Sequence, residues 1–283
     1  MKEMVISYKK GFELRSTISS IFKQHFLILL FVKRDYNTYY KQTVLGPIWF
    51  FIQPIFTMVV YVFIFGQVAG IETGKTPQPL FFLSGIIMWT YFSDNTLKIS
   101  STFLDNAHIF GKVYFPRIVM PIANMLTAYI KLFIQVVLLG ILCIYYGLEY
   151  IQFDWKLILI PVFLFFLGVF STAIGIIISA LTTKYRDLKF LTQFGIQLLM
   201  YGSAVVWPFE LIQNLFSDKY QWLHNLALFN PLIHFIEGIR YILFGEGFFD
   251  PFWSLYSCFI SIVMFILGLL IFTRVEKDFM DTI

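Results

Sequence analysis

The stretch KRDYNTYYKQTVLGPIWFFIQPIFTMVVYVFIFGQVAG, residues 33–70, decides how the whole chain is read. Its first third crowds cations and tyrosines together: Lys33, Arg34, Tyr36, Tyr39, Tyr40 and Lys41. From 44 to 66 there follow 23 residues without a charge, enough at about 1.5 Å per residue to cross a hydrocarbon core of about 30 Å. A basic, aromatic doorstep opening onto a membrane span predicts further spans downstream, with Lys and Arg gathered on the doorstep's side.

The composition agrees. Of 283 residues, 58% are hydrophobic, 20% aromatic and only 13% charged, with a mean hydropathy of +0.75. Soluble domains carry about 25% charged residues, so a water-soluble globule is excluded. Cys143 and Cys258 sit in separate apolar runs and offer neither a disulfide framework nor a metal set. The first apolar run, 26–32, is seven residues long and is followed by Lys33 and Arg34 rather than small residues, which argues against a cleaved signal peptide.

The chain divides into a cytoplasmic N-terminal segment (1–43), a transmembrane domain (44–273) and a charged cytoplasmic tail (274–283). Over 17–33, Ile18, Ile21, Phe22, Phe26, Leu29 and Leu30 recur near a 3.6 period. This predicts an amphipathic helix in the interface plane, or one packed on a cytosolic partner. Spans are predicted at about 44–66, 80–99, 118–146, 156–181, 190–208 and 252–273. Pro54 beside Gln53 predicts a kink in the first. The second is the least apolar, with Asp94, Asn95 and Lys98 at its distal end.

Residues 209–250 are too polar to span and too apolar for a free loop. Within them Asn230 suits a helix cap, Pro231 its first position and Gly245 its stop. A short re-entrant helix pair between spans 5 and 6 is the expectation, shielded by the other spans. The fold class is therefore an all-α polytopic membrane protein with six transmembrane helices.

Positive charge sets the orientation. Eight Lys/Arg lie in 1–43, three in 98–117, three in 182–189 and two in the tail, against Lys75, Lys156, Lys219 and Arg240 in the opposite loops. Both termini are expected in the cytoplasm.

Motifs that could carry chemistry are few. Ala69-Gly-Ile-Glu-Thr-Gly74-Lys75-Thr76 matches a relaxed phosphate-loop pattern. That chemistry needs a strand before the loop and a helix opening on it, whereas here a span precedes and Pro77 and Pro79 follow. His25, His108, His224 and His234 give no pair with metal-ligand spacing beside a carboxylate, and no serine elbow occurs. Lys131, inside span 3, either walls an aqueous pathway, or pairs with Asp94 or snorkels to the interface. Trp49, Trp155, Trp207 and Trp253, at span ends, read as interfacial belt residues. Tyr61, Tyr91 and Tyr129, inside spans, could line a channel for sugar rings or pack between helices. At the doorstep, Arg34, Tyr39, Tyr40 and Lys41 could meet a lipid or substrate headgroup.

Taken together, Arg34-Asp…Tyr40-Lys-Gln-Thr-Val-Leu-Gly-Pro-Ile-Trp49…Gln53-Pro54 and Phe65-Gly-Gln-Val-Ala-Gly resemble the permease subunit of ABC-2 type exporters of O-antigen, capsule and teichoic acid polymers. Lys112-Val-Tyr-Phe-Pro-Arg117, Asn230-Pro…Glu237-Gly-Ile-Arg-Tyr and Arg274-Val-Glu276 agree. The resemblance implies a homodimer in the bacterial inner membrane, driven by two separate ATPase subunits. ATP and Mg would be used by that partner, with no cofactor bound by this chain. It implies a lipid-linked glycan as substrate, and a coupling loop near 100–116 in which Phe110, Lys112 and Tyr114 would meet the ATPase. Lys131 departs from the acidic or neutral residue expected there. No nucleic-acid partner is expected. The alternatives are an ABC-2 permease for small hydrophobic molecules such as drugs or haem, a membrane-embedded transferase, and a stand-alone channel.

Overall fold

The computed structural model describes residues 23–40, 45–106, 109, 115–185, 187–211 and 221–280. Among them there is no strand. The elements are α1 (His25–Tyr40), a 3-10 turn (Gly46–Ile48), α2 (Trp49–Tyr61) continued by a π-helical stretch (Val62–Val68), α3 (Gln78–Ser100) and the short α4 (Thr102–Asp105). Then come α5 (Val119–Tyr146), 3-10 turns at Leu148–Tyr150 and Trp155–Ile158, α6 (Leu159–Lys184), α7 (Leu188–Tyr201), α8 (Gln221–Leu228), α9 (Pro231–Phe244) and α10 (Pro251–Met280).

Four helical stretches are by themselves long and apolar enough to cross a membrane: Trp49–Val68, Val119–Tyr146, Trp155–Thr182 and Pro251–Arg274. The pair α8–α9, bent by 74°, makes a fifth if it is one span. Helix α3 has the length, at 23 residues, but is too polar to pass alone. Its position explains why. It packs against α2, α5, α6, α7 and α9, and Leu80, Phe82, Leu83, Ile87, Phe92 and Ile99 are fully buried. A helix wrapped by protein need not be apolar all round.

The α3–α6 contact shows how its polar groups are met. Asn95 Nδ2 donates to Ser171 Oγ at 2.6 Å and Thr172 Oγ1 at 3.1 Å, and Thr96 Oγ1 donates to the Ser171 carbonyl at 3.2 Å. Gly168 and Gly175 flank Ser171 on α6, and a Cβ at Gly175 would lie 2.7 Å from that of Ile99. Small residues at this spacing bring two backbones close enough for such bonds.

Helix α7 is 14 residues long, about 21 Å at ~1.5 Å per residue. It stops seven residues before the predicted end of span 5. Beyond it the chain runs irregularly through buried Ser203–Val206, with Ala204 at φ 53°. Backbone of this kind inside a bundle needs partners from elsewhere, and α9 supplies them. Arg240 donates to the carbonyls of Ala204 (2.6 Å), Val205 (2.8 Å) and Phe81 (3.2 Å) and to Glu237 Oε1 (2.7 Å). Its guanidinium stacks 3.7 Å over Phe81. Glu237 accepts in turn from the Phe248 amide at 3.1 Å. Arg240 and Glu237 are both fully buried, so Arg240 is not the outer-loop cation that the charge count assumed.

The ends of α9 follow the sequence signals. Asn230 Oδ1 accepts from the Leu232 amide, Pro231 takes the first position, and Gly245 closes the helix in the left-handed region at φ 75°. Asn230 also donates to the Gly202 carbonyl and Ser203 Oγ, at 3.0 and 3.1 Å, so one residue caps α9 and pins the loop after α7.

At the other end of the bundle, α1 runs past the predicted end at 33 to Tyr40, so the doorstep is helical as far as Tyr40; residues 17–22 of the predicted helix lie outside the described residues. Ile28, Phe31 and Asp35 are buried on the side that packs against α5, while Phe26, Leu29 and Leu30 are exposed. Apolar residues on the open face suit lipid rather than water. Helix α2 continues through Pro54. Of the four tryptophans read as belt residues, Trp49 and Trp155 are exposed, whereas Trp207 packs on Phe65 and Trp253 stacks on His234.

Candidate functional site: a polar cleft beneath the first helix

Four helices converge on one polar cleft. Helix α3 contributes Tyr91, Asp94, Asn95 and Lys98, and α5 contributes Asn124, Thr127, Lys131 and Gln135. Both sets follow the three- and four-residue spacing of a single helical face. Asp35 and Tyr36 of α1 and Phe50 of α2 close the side.

Register between α3 and α5 is set by polar pairs. Asn124 Nδ2 donates to Thr102 Oγ1 at 3.2 Å. Seven residues further along α5 and eight back along α3, Lys131 forms an ion pair with Asp94. Helical structure continues past Ser100 into α4, and Lys131 and Asp94 lie level across the two helices. Lys131 Nζ also lies 5.7 Å from the Phe50 ring centroid. One turn on, Gln135 is 1% exposed, and neither its amide nitrogen nor its oxygen has a partner among the described residues. The Asn95 Oδ1 atom is in the same position. The cleft offers about 50 Å³ to water, against roughly 10–15 Å³ for each molecule. That suits a few ordered waters on Gln135 and Asn95 and is too small for a sugar ring.

The other sequence-predicted residues scatter. Arg34 pairs with its neighbour, with Nε 2.8 Å and a terminal nitrogen 2.7 Å from Asp35 Oδ1, and stacks 4.8 Å from the Phe31 ring centroid, while its side chain stays 37% exposed. Tyr39 and Tyr40 end α1. Lys41, and the coupling residues Phe110, Lys112 and Tyr114, lie outside the described residues. The Tyr91 and Tyr129 rings lie 5.1 Å apart, tilted by 35°, and their hydroxyls converge on Gly168, and Tyr129 donates to the Leu164 and Phe165 carbonyls, both at 3.1 Å. Tyr91 therefore reaches the cleft wall while Tyr129 ties α5 to α6. Tyr61 is remote from both; its hydroxyl donates to Met200 Sδ at 3.2 Å, joining α2 to α7.

Sequence reasoning missed Asp35, Asn124 and Gln135. It also missed a stripe on α7, where Lys189, Gln193, Gln197 and Tyr201 recur every fourth residue and all are exposed. Glutamines four apart in an apolar run were the available signal. The phosphate-loop look-alike is answered directly. Glu246 Oε1 accepts from the Lys75 amide at 3.3 Å, so a carboxylate of the chain itself sits where a phosphate would have to bind. Among the described residues no group of three His, Cys, Asp or Glu could hold a metal ion.

The sequence matches known proteins along most of its length. The family model of the ABC-2 type transporter matches residues 27–244. An O-antigen export system permease protein, RfbA, of Klebsiella pneumoniae is 25% identical over 90% of this chain and 94% of its own. The protein of that name from Myxococcus xanthus is 24% identical over 94% of this chain and 98% of its own. The polysialic acid transport protein KpsM of Escherichia coli is 22% identical over 95% and 97%. The membrane subunits of this family have no ATP-hydrolysing site of their own. With a family match over most of its residues, and a bundle whose only phosphate-loop look-alike is filled by its own glutamate, this chain belongs to the ABC-2 type transporter family.

Proposed function

We propose that this chain is the permease of an ATP-driven exporter that carries a lipid-linked polysaccharide, of the O-antigen or capsule kind, from the cytoplasm to the outer face of the bacterial inner membrane. The observation that carries this reading is similarity over nine-tenths or more of the chain to permeases named for O-antigen and polysialic acid export. The small-hydrophobe alternative has no such support.

In this reading α3 and α7 complete six spans, and α8–α9 form the re-entrant pair. Residues 1–43 and 274–283 face the cytoplasm, as the cation distribution requires. Two copies form the conduit, and two separate ATPase subunits, using ATP and Mg, dock near Phe110, Lys112 and Tyr114. The exposed stripe Lys189, Gln193, Gln197 and Tyr201 suits the wall of that conduit, because glutamines are costly against lipid and cheap against water or a glycan. Arg34, Tyr39, Tyr40 and Lys41 would meet the lipid headgroup at the cytoplasmic entrance. Lys131 and Tyr91, with Tyr129 behind them, would stiffen the helices around it, and Tyr61 would do the same between α2 and α7.

Deleting the gene in its host is the test. Surface polysaccharide should disappear while lipid-linked polymer accumulates inside, and plasmid-borne wild type should restore export. Normal surface polymer in the deleted strain would refute the reading.

A further inference from the structure

We infer that the end of the bundle opposite α1 carries a glycan-binding groove, built from the loop between the π-helical stretch and α3 and from the tyrosines that follow α5. This rests on the export function proposed above and adds to it a site where the emerging polymer is held.

The groove has a volume of about 590 Å³, within the ~300–1,000 Å³ usual for small-molecule sites. Glu72, Lys75 and Gln78 line one side, and Tyr146 and Tyr150 the other. The loop is a fixed platform. Thr73 and Thr76 are buried at 8% and 4% exposure, and Thr73 Oγ1 donates to the Thr76 carbonyl at 2.8 Å. Gly74 takes φ 63°, which lets Glu246 come up against the loop and accept from the Lys75 amide. The Ile71 amide donates to the Phe65 carbonyl at 2.9 Å and its side chain is buried. Ordering costs at such a loop are already met before a ligand arrives.

The tyrosine side is divided between two tasks. Tyr145 is 79% exposed, in company with Phe153 and Trp155 at 74% each, a belt suited to lipid headgroups. Its neighbour Tyr146 stands edge-on to it at 5.3 Å and turns into the groove instead. Tyr150 packs on the main core from the far side of Gly147. Rigid rings beside a carboxylate, an ammonium and an amide fit a hydroxyl-rich ligand. Sugar C–H faces stack on the rings, and the hydroxyls bond the polar side chains. A phosphate is disfavoured, because Glu246 already holds the loop amide.

The test uses the permease–ATPase complex in nanodiscs and, as probe, short oligosaccharides released by mild acid from the host's surface polymer, followed by saturation-transfer NMR. Wild type and Tyr146→Phe should bind alike, since the ring face is kept. Tyr146→Ala should bind about tenfold more weakly, and Glu72→Gln several-fold more weakly, with thermal melts unchanged. Failure of the wild type to bind the oligosaccharides, or equal binding by Tyr146→Ala, would overturn the inference. So would a cross-link from Tyr146→Cys to a second copy. If the gene-deleted host loses its surface polymer yet the oligosaccharides do not bind, the groove fails and the export reading stands. If the deleted host keeps its polymer, the export reading falls first.

Discussion

Replacing Arg240 with methionine, close in size and uncharged, tests what keeps the irregular backbone after α7 in place. Two effects follow. Glu237 is left fully buried without its partner, a loss of about 3–5 kcal/mol when one member of a buried pair is removed. Uptake of a proton by Glu237 would limit that share. The carbonyls of Phe81, Ala204 and Val205 also lose their donor, at about 1 kcal/mol or more each. The expected loss is about 5 kcal/mol, a large part of a typical 5–15 kcal/mol stability. The informative comparison is the double variant Glu237→Leu/Arg240→Met. It removes the orphaned charge but not the orphaned carbonyls, so it should regain some stability and remain about 2–3 kcal/mol below wild type. Glu237→Leu alone keeps all three carbonyl bonds but leaves the Arg240 guanidinium buried without its counter-charge, so it too should lose about 3–5 kcal/mol and fall below the double variant. Thermal unfolding in one detergent, followed by fluorescence-detected size exclusion, gives the ranking. A double variant as stable as wild type would refute the reasoning, for it would mean that Arg240 serves Glu237 alone and that the loop carbonyls need no donor.

Three further outcomes are expected. Gly175→Leu should separate α3 from α6, because even a Cβ there would lie 2.7 Å from Ile99 Cβ; loss of about 3 kcal/mol or failure to fold follows, and a melting point within a degree of wild type would contradict it. Reversing the ion pair as Asp94→Lys/Lys131→Asp should retain more stability and export than either single variant, the cycle giving about 1 kcal/mol for a partly exposed pair; additive singles would mean that the two residues do not interact. Gln193→Cys and Gln197→Cys should react with a water-soluble, membrane-impermeant thiol reagent during export and be protected by added polymer, whereas Phe190→Cys should react poorly; equal reactivity of all three would remove the stripe from the conduit wall.

Much of the architecture was legible in residue order. Hydropathy alone found the four long apolar stretches to within five residues at each end, because crossing a bilayer is a demand each segment meets by itself. The caps of α9 were equally plain, since Asn230, Pro231 and Gly245 act on backbone within a few positions of themselves. The pairing of Lys131 with Asp94 was one of the open readings, and the structure brings the two side chains together. Gln135 gave a weak signal, a second polar residue one turn after a lysine, and it went unread.

What residue order could not determine is where a side chain's distant partners lie. Glu237 and Arg240 looked like part of a motif and an outer-loop charge, yet their partners come from positions 81, 204, 205 and 248, which only packing of α3, α9 and the loop after α7 brings together. The polar character of α3, a defect in a lone span, becomes an asset once five neighbours enclose it. Hydrophobicity is a property of single segments and survives in one dimension. Satisfaction of buried polar groups belongs to pairs far apart in the chain, and only the three-dimensional arrangement decides it.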